Sequence, residues 1–134
     1  MEGSDAPRDG GRRARGQEAE ELAAAWLEAR GWRVLARNHA LRRGEVDLVC
    51  AREGVLAFVE VRSRTGEAHG GPEETVDRRK ARRVVLAAED WLARHGADGR
   101  DIRFDVVAVT FGEAEPRLVH FPAAFDADGA PGVF

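Results

Sequence analysis

Apolar and polar residues change period several times along this chain, and each change marks an element. Over 17–30, Leu22, Ala23, Trp26 and Leu27 recur at helical spacing and Gly31 follows as a stop signal, which predicts an amphipathic helix. Over 32–38, Trp32, Val34 and Ala36 alternate with Arg33, Leu35 and Arg37, the period of a strand. The segment 38–43, with His39, Arg42 and Arg43, reads as a connecting loop, and His39 as a surface residue. Two more alternating runs flank the turn signal Arg52-Glu53-Gly54 and predict a β-hairpin over 44–64. A Gly- and Pro-rich loop over 65–73 carries His69, and a second helix over 74–95 follows, with Ala81, Val84, Val85, Ala88, Trp91 and Leu92 on one stripe. The near-continuous β-branched run 101–111 reads as a central strand buried on both faces, and 117–121 as an edge strand. Helix, three strands, helix, two strands is an α/β order, with a mixed sheet of about five strands flanked by helices.

The hairpin carries the chemistry. With Glu53 and Gly54 as the loop, Arg52 faces Val55 and Asp47 falls opposite Glu60. Because side chains alternate, Glu45, Asp47, Glu60, Arg62 and Arg64 share one face, and Val46, Leu48, Cys50, Val59 and Val61 the other. Like charges directly across a strand pair destabilise it, and a divalent cation between them would remove that penalty. Hard cations such as Mg²⁺ take carboxylate oxygens and serve phosphoryl-transfer hydrolysis by activating water and offsetting charge on phosphorus. The plainer reading of the same residues is a solvated charged face, with Glu45 and Arg62 as a surface ion pair of little energetic value.

Composition narrows the classes. The 134 residues suit one domain, 43% hydrophobic content supports a core, and the single cysteine allows no intrachain disulfide. Cys50 lies on the apolar face of its strand and reads as a small buried hydrophobe. No apolar run has the length of a membrane span, and the basic N-terminus is followed by no apolar segment, so a cytoplasmic location is expected. The net charge of −3 comes from Glu113, Glu115, Asp126 and Asp128 against Arg117, leaving the preceding residues neutral overall with local basic clusters. Nucleotide-loop, zinc and serine-hydrolase motifs are absent from the sequence.

The paired motifs G-E-V-D-L-V and F-V-E-V-R-S-R resemble the metal-binding core of the PD-(D/E)XK nuclease superfamily. More closely, the chain is similar to the YraN family of small bacterial proteins, related to archaeal-type Holliday-junction resolvases, over roughly residues 16–109. The resemblance implies a restriction-endonuclease-like fold and Mg²⁺ or Mn²⁺ held by Asp47 and Glu60. It further implies Glu20, in the G-x-x-x-E pattern starting at Gly16, as a third metal carboxylate. Glu20 also precedes Ala23 by three and Leu27 by seven, so it borders the buried stripe. One departure matters: the family's lysine two residues after the glutamate is Arg62 here. Arginine stays protonated and is a poor general base, although it can hold a phosphate electrostatically.

Within the second helix, Arg78, Arg79, Lys80, Arg82 and Arg83 form the strongest phosphate-binding signal of the chain. Lys80, which matches a lysine of the family pattern, would make up electrostatically for the missing strand lysine. Asp105 inside the central strand needs a partner if buried, and Arg103, two positions back on the same face, is the obvious one. Residues 1–14 read as a disordered basic tail, 15–122 as the nuclease-like domain and 123–134 as a loosely packed tail. Two functions follow as expectations. The first is a Mg²⁺- or Mn²⁺-dependent endonuclease on DNA phosphodiesters, branched DNA among its candidate substrates, with Asp47, Glu60 and Arg62 as catalytic residues. The alternative is a nucleic-acid-binding module whose catalysis is impaired by Arg62. A resolvase-like role would favour a homodimer.

Overall fold

The structure, a computed structural model, describes residues 8–65, 77–112 and 114–132, with side chains in the first helix described from Ala14 onward. Its elements are α1 (Arg8–Ala29), β1 (Arg33–Leu41), β2 (Gly44–Arg52), β3 (Val55–Thr65), α2 (Arg78–His95), β4 (Asp101–Phe111) and β5 (Arg117–Phe125). The five strands lie in sequence order in one sheet. β3 and β4 are parallel, joined through α2, and all other neighbours are antiparallel. This is the α/β arrangement expected from the residue pattern.

The two helices cover opposite faces. Val49, Ala51, Leu56, Phe58, Phe104 and Val106 pack under Ala81, Val84, Val85, Ala88 and Trp91 of α2. Leu48, Cys50, Ala57, Val59, Val107 and Val109 pack under Ala19, Ala23, Ala24 and Leu27 of α1. β3 and β4 therefore alternate between two apolar layers, which is why 55–59 and 106–109 run apolar without a polar gap. Three of the four buried positions on α1 are alanines, so this helix lies close to the sheet, while Leu22 and Trp26 border the contact.

Local signals set the helix ends. Asp77 is extended (φ −114°) and its Oδ1 accepts from the N–H of Arg79 at 2.9 Å and of Lys80 at 3.4 Å, an N-cap that starts α2 at Arg78. Gly96, at φ 76°, ends the helix and donates its N–H to the Leu92 carbonyl at 2.7 Å.

Several expectations are corrected. α1 begins at Arg8, so part of the segment read as a tail is helical; residues 1–7 lie outside the described set. β1 runs on to Leu41 through the segment read as a loop, and His39 is a tie rather than a lone surface residue. Its Nε2 lies 2.9 Å from Asp90 Oδ2 of α2. The expected loop at 65–73, with His69, falls outside the described residues apart from Thr65, as does the predicted helix start at Glu74.

Within the segment read as a loose tail, residues 123–132 are packed, and 133–134 lie outside the described residues. β5 extends to Phe125, which stacks on Phe104 at 5.3 Å between centroids, and Gly132 N–H returns to the Ala124 carbonyl at 2.8 Å. Asp105, fully buried, anchors this edge. Arg103 grips it through Nε and Nη2, each at 2.9 Å, His120 Nε2 lies 2.8 Å away, and the Ala123 N–H donates at 3.0 Å. Burial alone would raise its pKa; these partners hold it below the ordinary carboxylate value. Among the described residues no helix is long and apolar enough to cross a membrane.

Candidate functional site

The hairpin register is the expected one from Arg52↔Val55 to Leu48↔Val59, and there the ladder stops. At the next rung, where Asp47 was expected directly across from Glu60, the Asp47 side chain enters the ladder: Oδ2 accepts the Val61 backbone N–H at 2.7 Å. The interruption changes the faces as well. Val46 packs on the α2 side whereas Leu48 packs on the α1 side, although residues two apart in a regular strand share a face. Asp47 and Glu60 remain together. They line one cavity of about 190 Å³ with Glu45, Lys80, Arg83 and Val84.

Backbone proximity sets that cavity. A Cβ on Gly44 would come within 2.5 Å of the Arg83 carbonyl oxygen, so β2 begins in direct contact with the α2 backbone. That contact holds the N-terminal half of α2 over the carboxylates.

Electrostatics mark Asp47 as the unusual group. Its pKa is pushed up to about 7, first by burial and then by the charges of Glu20, Glu45 and Glu60, against the lowering effect of the Val61 N–H. Glu60, 9% exposed, is also raised by burial, with Arg62 and Lys80 pulling the other way. Arg62 Nη1 stands 3.5 Å from Glu60 Oε2. Glu20 approaches from α1: burial raises its carboxyl and the Glu45 charge adds to that, while the neighbouring Asn38, Asp47 and Arg37 pull the other way. Among the described residues no group of three or more His, Cys, Asp or Glu side chains forms a ready-made metal cage. The donor set at the cavity is Asp47, half-buried, and Glu60, buried, with Glu45 beside them, while Glu20 lines a neighbouring cavity of about 250 Å³. That suits Mg²⁺, which is commonly held by one or two carboxylates and keeps several waters.

A model described as "Uncharacterised protein family UPF0102" matches residues 19–109. A UPF0102 protein of Anaeromyxobacter dehalogenans is 67% identical over 122 residues, covering 91% of each chain. One from Anaeromyxobacter sp. (strain Fw109-5) is 61% identical across 93% of this chain and 94% of its own, and one from Myxococcus xanthus 45% identical across 87% and 92%. The chain belongs to the UPF0102 family.

The stretch matched to UPF0102 holds Glu20, Asp47, Glu60, Arg62 and the whole of α2, and ends before β5. The basic residues of α2 do not all line one cavity. Lys80 and Arg83 turn to the carboxylate cavity, whereas Arg78 and Arg82 line a separate cavity of about 510 Å³ with Val85, Leu86, Glu89 and Asp128. Arg79 is exposed. The reason is helical: positions four apart share a side, so 78 and 82 diverge from 80 and 83. Two site residues were not singled out from the sequence. Asn38 stood at the boundary between the predicted strand and loop, and Gly44 shows its role only through its contact with α2.

Proposed function

We propose that this UPF0102 protein is a divalent-metal-dependent nuclease acting on DNA phosphodiesters, with branched DNA as its candidate substrate. The observation that carries the reading is Asp47: a half-buried carboxyl, raised to about 7 by burial and by three neighbouring carboxylates, on a cavity that Glu60 and Lys80 also line. Like charges packed this way are costly without a cation, and perturbed carboxylates in a cleft mark functional sites. Asp47 and Glu60 would hold Mg²⁺ or Mn²⁺, with Glu20 supporting Asp47 from α1. Such an ion, when bound, supplies Lewis acidity that activates water and offsets charge on the phosphate. The chain's own cations do the rest. Lys80, Arg83 and Arg62 surround the carboxylates and counter the phosphate charge. Lys80 provides the ammonium that the strand position of Arg62 lacks. No side chain here is assigned as general base.

The test is cleavage of duplex, single-stranded and four-way-junction DNA with Mn²⁺. Cleavage that disappears in Asp47→Ala and Glu60→Ala supports the reading; cleavage that survives Asp47→Ala defeats it. A second reading, DNA binding without hydrolysis, is favoured by the Arg62 guanidinium standing against Glu60 Oε2. It predicts salt-dependent DNA retention without metal, and cleavage gained on Arg62→Lys.

A further inference from the structure

The N-terminal half of α2 carries cations on three sides. At about 100° per residue, Arg78 and Arg82 stand about 40° apart on one flank, and Lys80 and Arg83 about 60° apart on the other. About 150° separates the two flanks, and Arg79 lies between them, nearly opposite the buried Ala81, Val84, Val85 and Ala88. All five side chains are exposed, and among the described residues none of them forms an ion pair. Each flank is nevertheless backed by structure. Lys80 and Arg83 line the cavity of Asp47 and Glu60, which the Gly44 contact sets beside α2. Arg78 and Arg82 line the second cavity, whose facing wall is the turn at 126–130. That turn is fixed from within: Asp126 Oδ1 accepts the N–H of Asp128 at 2.9 Å and of Ala130 at 3.0 Å. Gly129, at φ 80°, lets it approach the helix, since a Cβ there would stand 3.2 Å from Arg82 Cγ and 3.3 Å from the Arg78 carbonyl oxygen. The turn thus supports this flank, while Asp128 and Glu89 on the same cavity lower its positive potential.

Opposed flanks of cations one helix apart fit two phosphate backbones, one on each side. A helix with its side chains is about 10–12 Å across. The major groove of B-form DNA is about 12 Å wide and admits such a helix, whereas the minor groove, at about 6 Å, does not. Duplex RNA offers no equivalent, because its major groove is deep and narrow. We propose that the N-terminal half of α2 seats in the major groove of duplex DNA. Lys80 and Arg83 take phosphates of the strand that meets the carboxylates, and Arg78 and Arg82 take those of the opposite strand. The inference rests on the reading of the Asp47–Glu60 cavity as the place where a DNA phosphate is held. Arg79, on the ridge, faces the floor of the groove, where arginine bonds to guanine edges.

The test measures binding in chelator by fluorescence anisotropy over a salt series. The probes are duplex DNA, duplex RNA, single-stranded DNA and a DNA duplex in which one strand carries uncharged methylphosphonates. The proteins are the wild type, Arg78→Gln/Arg82→Gln and Lys80→Gln/Arg83→Gln, with melting temperatures to confirm folding. Each phosphate contact contributes about 0.9 to the slope of log K against log salt, so each double variant should lose about 2. The wild type should lose about 2 on the half-neutral duplex, where the variants should lose nothing further. Duplex DNA should bind more tightly than duplex RNA or single strands. A wild type that keeps its full slope on the half-neutral duplex has both flanks on one strand, which overturns the inference. So does an unchanged slope in Arg78→Gln/Arg82→Gln, tighter binding to RNA or single strands, or no DNA binding at low salt. Cleavage with Mn²⁺ is scored separately on the all-phosphate DNA duplex. Cleavage abolished by Asp47→Ala beside any of those results leaves the nuclease reading standing. Two-flank binding without cleavage keeps the inference and defeats the nuclease reading.

Discussion

Replacing Asp47 by asparagine should stabilise the metal-free protein at alkaline pH, an outcome opposite to that of most substitutions in a buried network. The folded carboxyl titrates at about 7 against an ordinary 3.8. A group raised in this way binds more protons folded than unfolded, so it lowers stability as pH rises from about 4 to 7. Roughly three pH units at about 1.4 kcal/mol each set a ceiling of about 4 kcal/mol on the penalty above neutrality. Asparagine keeps an oxygen for the Val61 N–H and carries no charge. At roughly 2.1 cal/mol/K per residue, the 134-residue chain melts about 3–4 °C higher per kcal/mol. In thermal melts with chelator, Asp47→Asn should exceed the wild type by up to about 14 °C at pH 8, and the gap should close towards pH 4. A variant less stable than wild type at pH 8, or a gap that does not change with pH, would refute the electrostatic account of this residue.

Other substitutions probe the supports of the site. Gly44→Ala places a methyl 2.5 Å from the Arg83 carbonyl oxygen, so α2 must move; a loss of about 1–3 kcal/mol is expected in urea unfolding, and an unchanged midpoint would show that the helix is free to shift. Asp105→Ala strands Arg103 and His120 around a buried gap, at an expected cost of about 3–5 kcal/mol. Because the Asp105 pKa is lowered in the fold, its stabilisation is present above the ordinary 3.8 and lost as pH falls through the folded value. The difference between variant and wild type should therefore shrink in acid unfolding. Phe58→Ala, in the layer under α2 against Trp91 and Phe104, is expected to cost about 3–5 kcal/mol.

Much of this fold was legible because local signals and global packing agree. Glu53 takes the left-handed turn conformation beside Gly54, and the hairpin register follows from the loop outward to Leu48↔Val59. The two-sided apolar run of β4 and the Arg103–Asp105 pair were readable for the same reason: each is decided within a few residues. What escaped depends on contacts distant in sequence. Periodicity cannot see the break at Asp47, because that residue replaces a backbone rung with its own carboxylate. The first strand read as ending at Asn38, whereas β1 continues past that residue's left-handed φ to Leu41. In the basic run of α2, helical spacing groups Arg79 with Arg82 and Arg83 and sets Lys80 nearer the buried edge, but it does not show that Arg83 joins Lys80 beside Asp47 while Arg82 joins Arg78 beside Asp128. Phe125 read as part of a frayed end because only the folded sheet presents Phe104 to it.

The claim that Asp47 and Glu60 together form a cation site is tested most directly by calorimetric titration of Mn²⁺ into the wild type and Asp47→Asn at pH 7.5. A saturable site of one ion per chain in the wild type, abolished in the variant, is the predicted result. Equal heats from both proteins, or no saturable binding to the wild type, would contradict it.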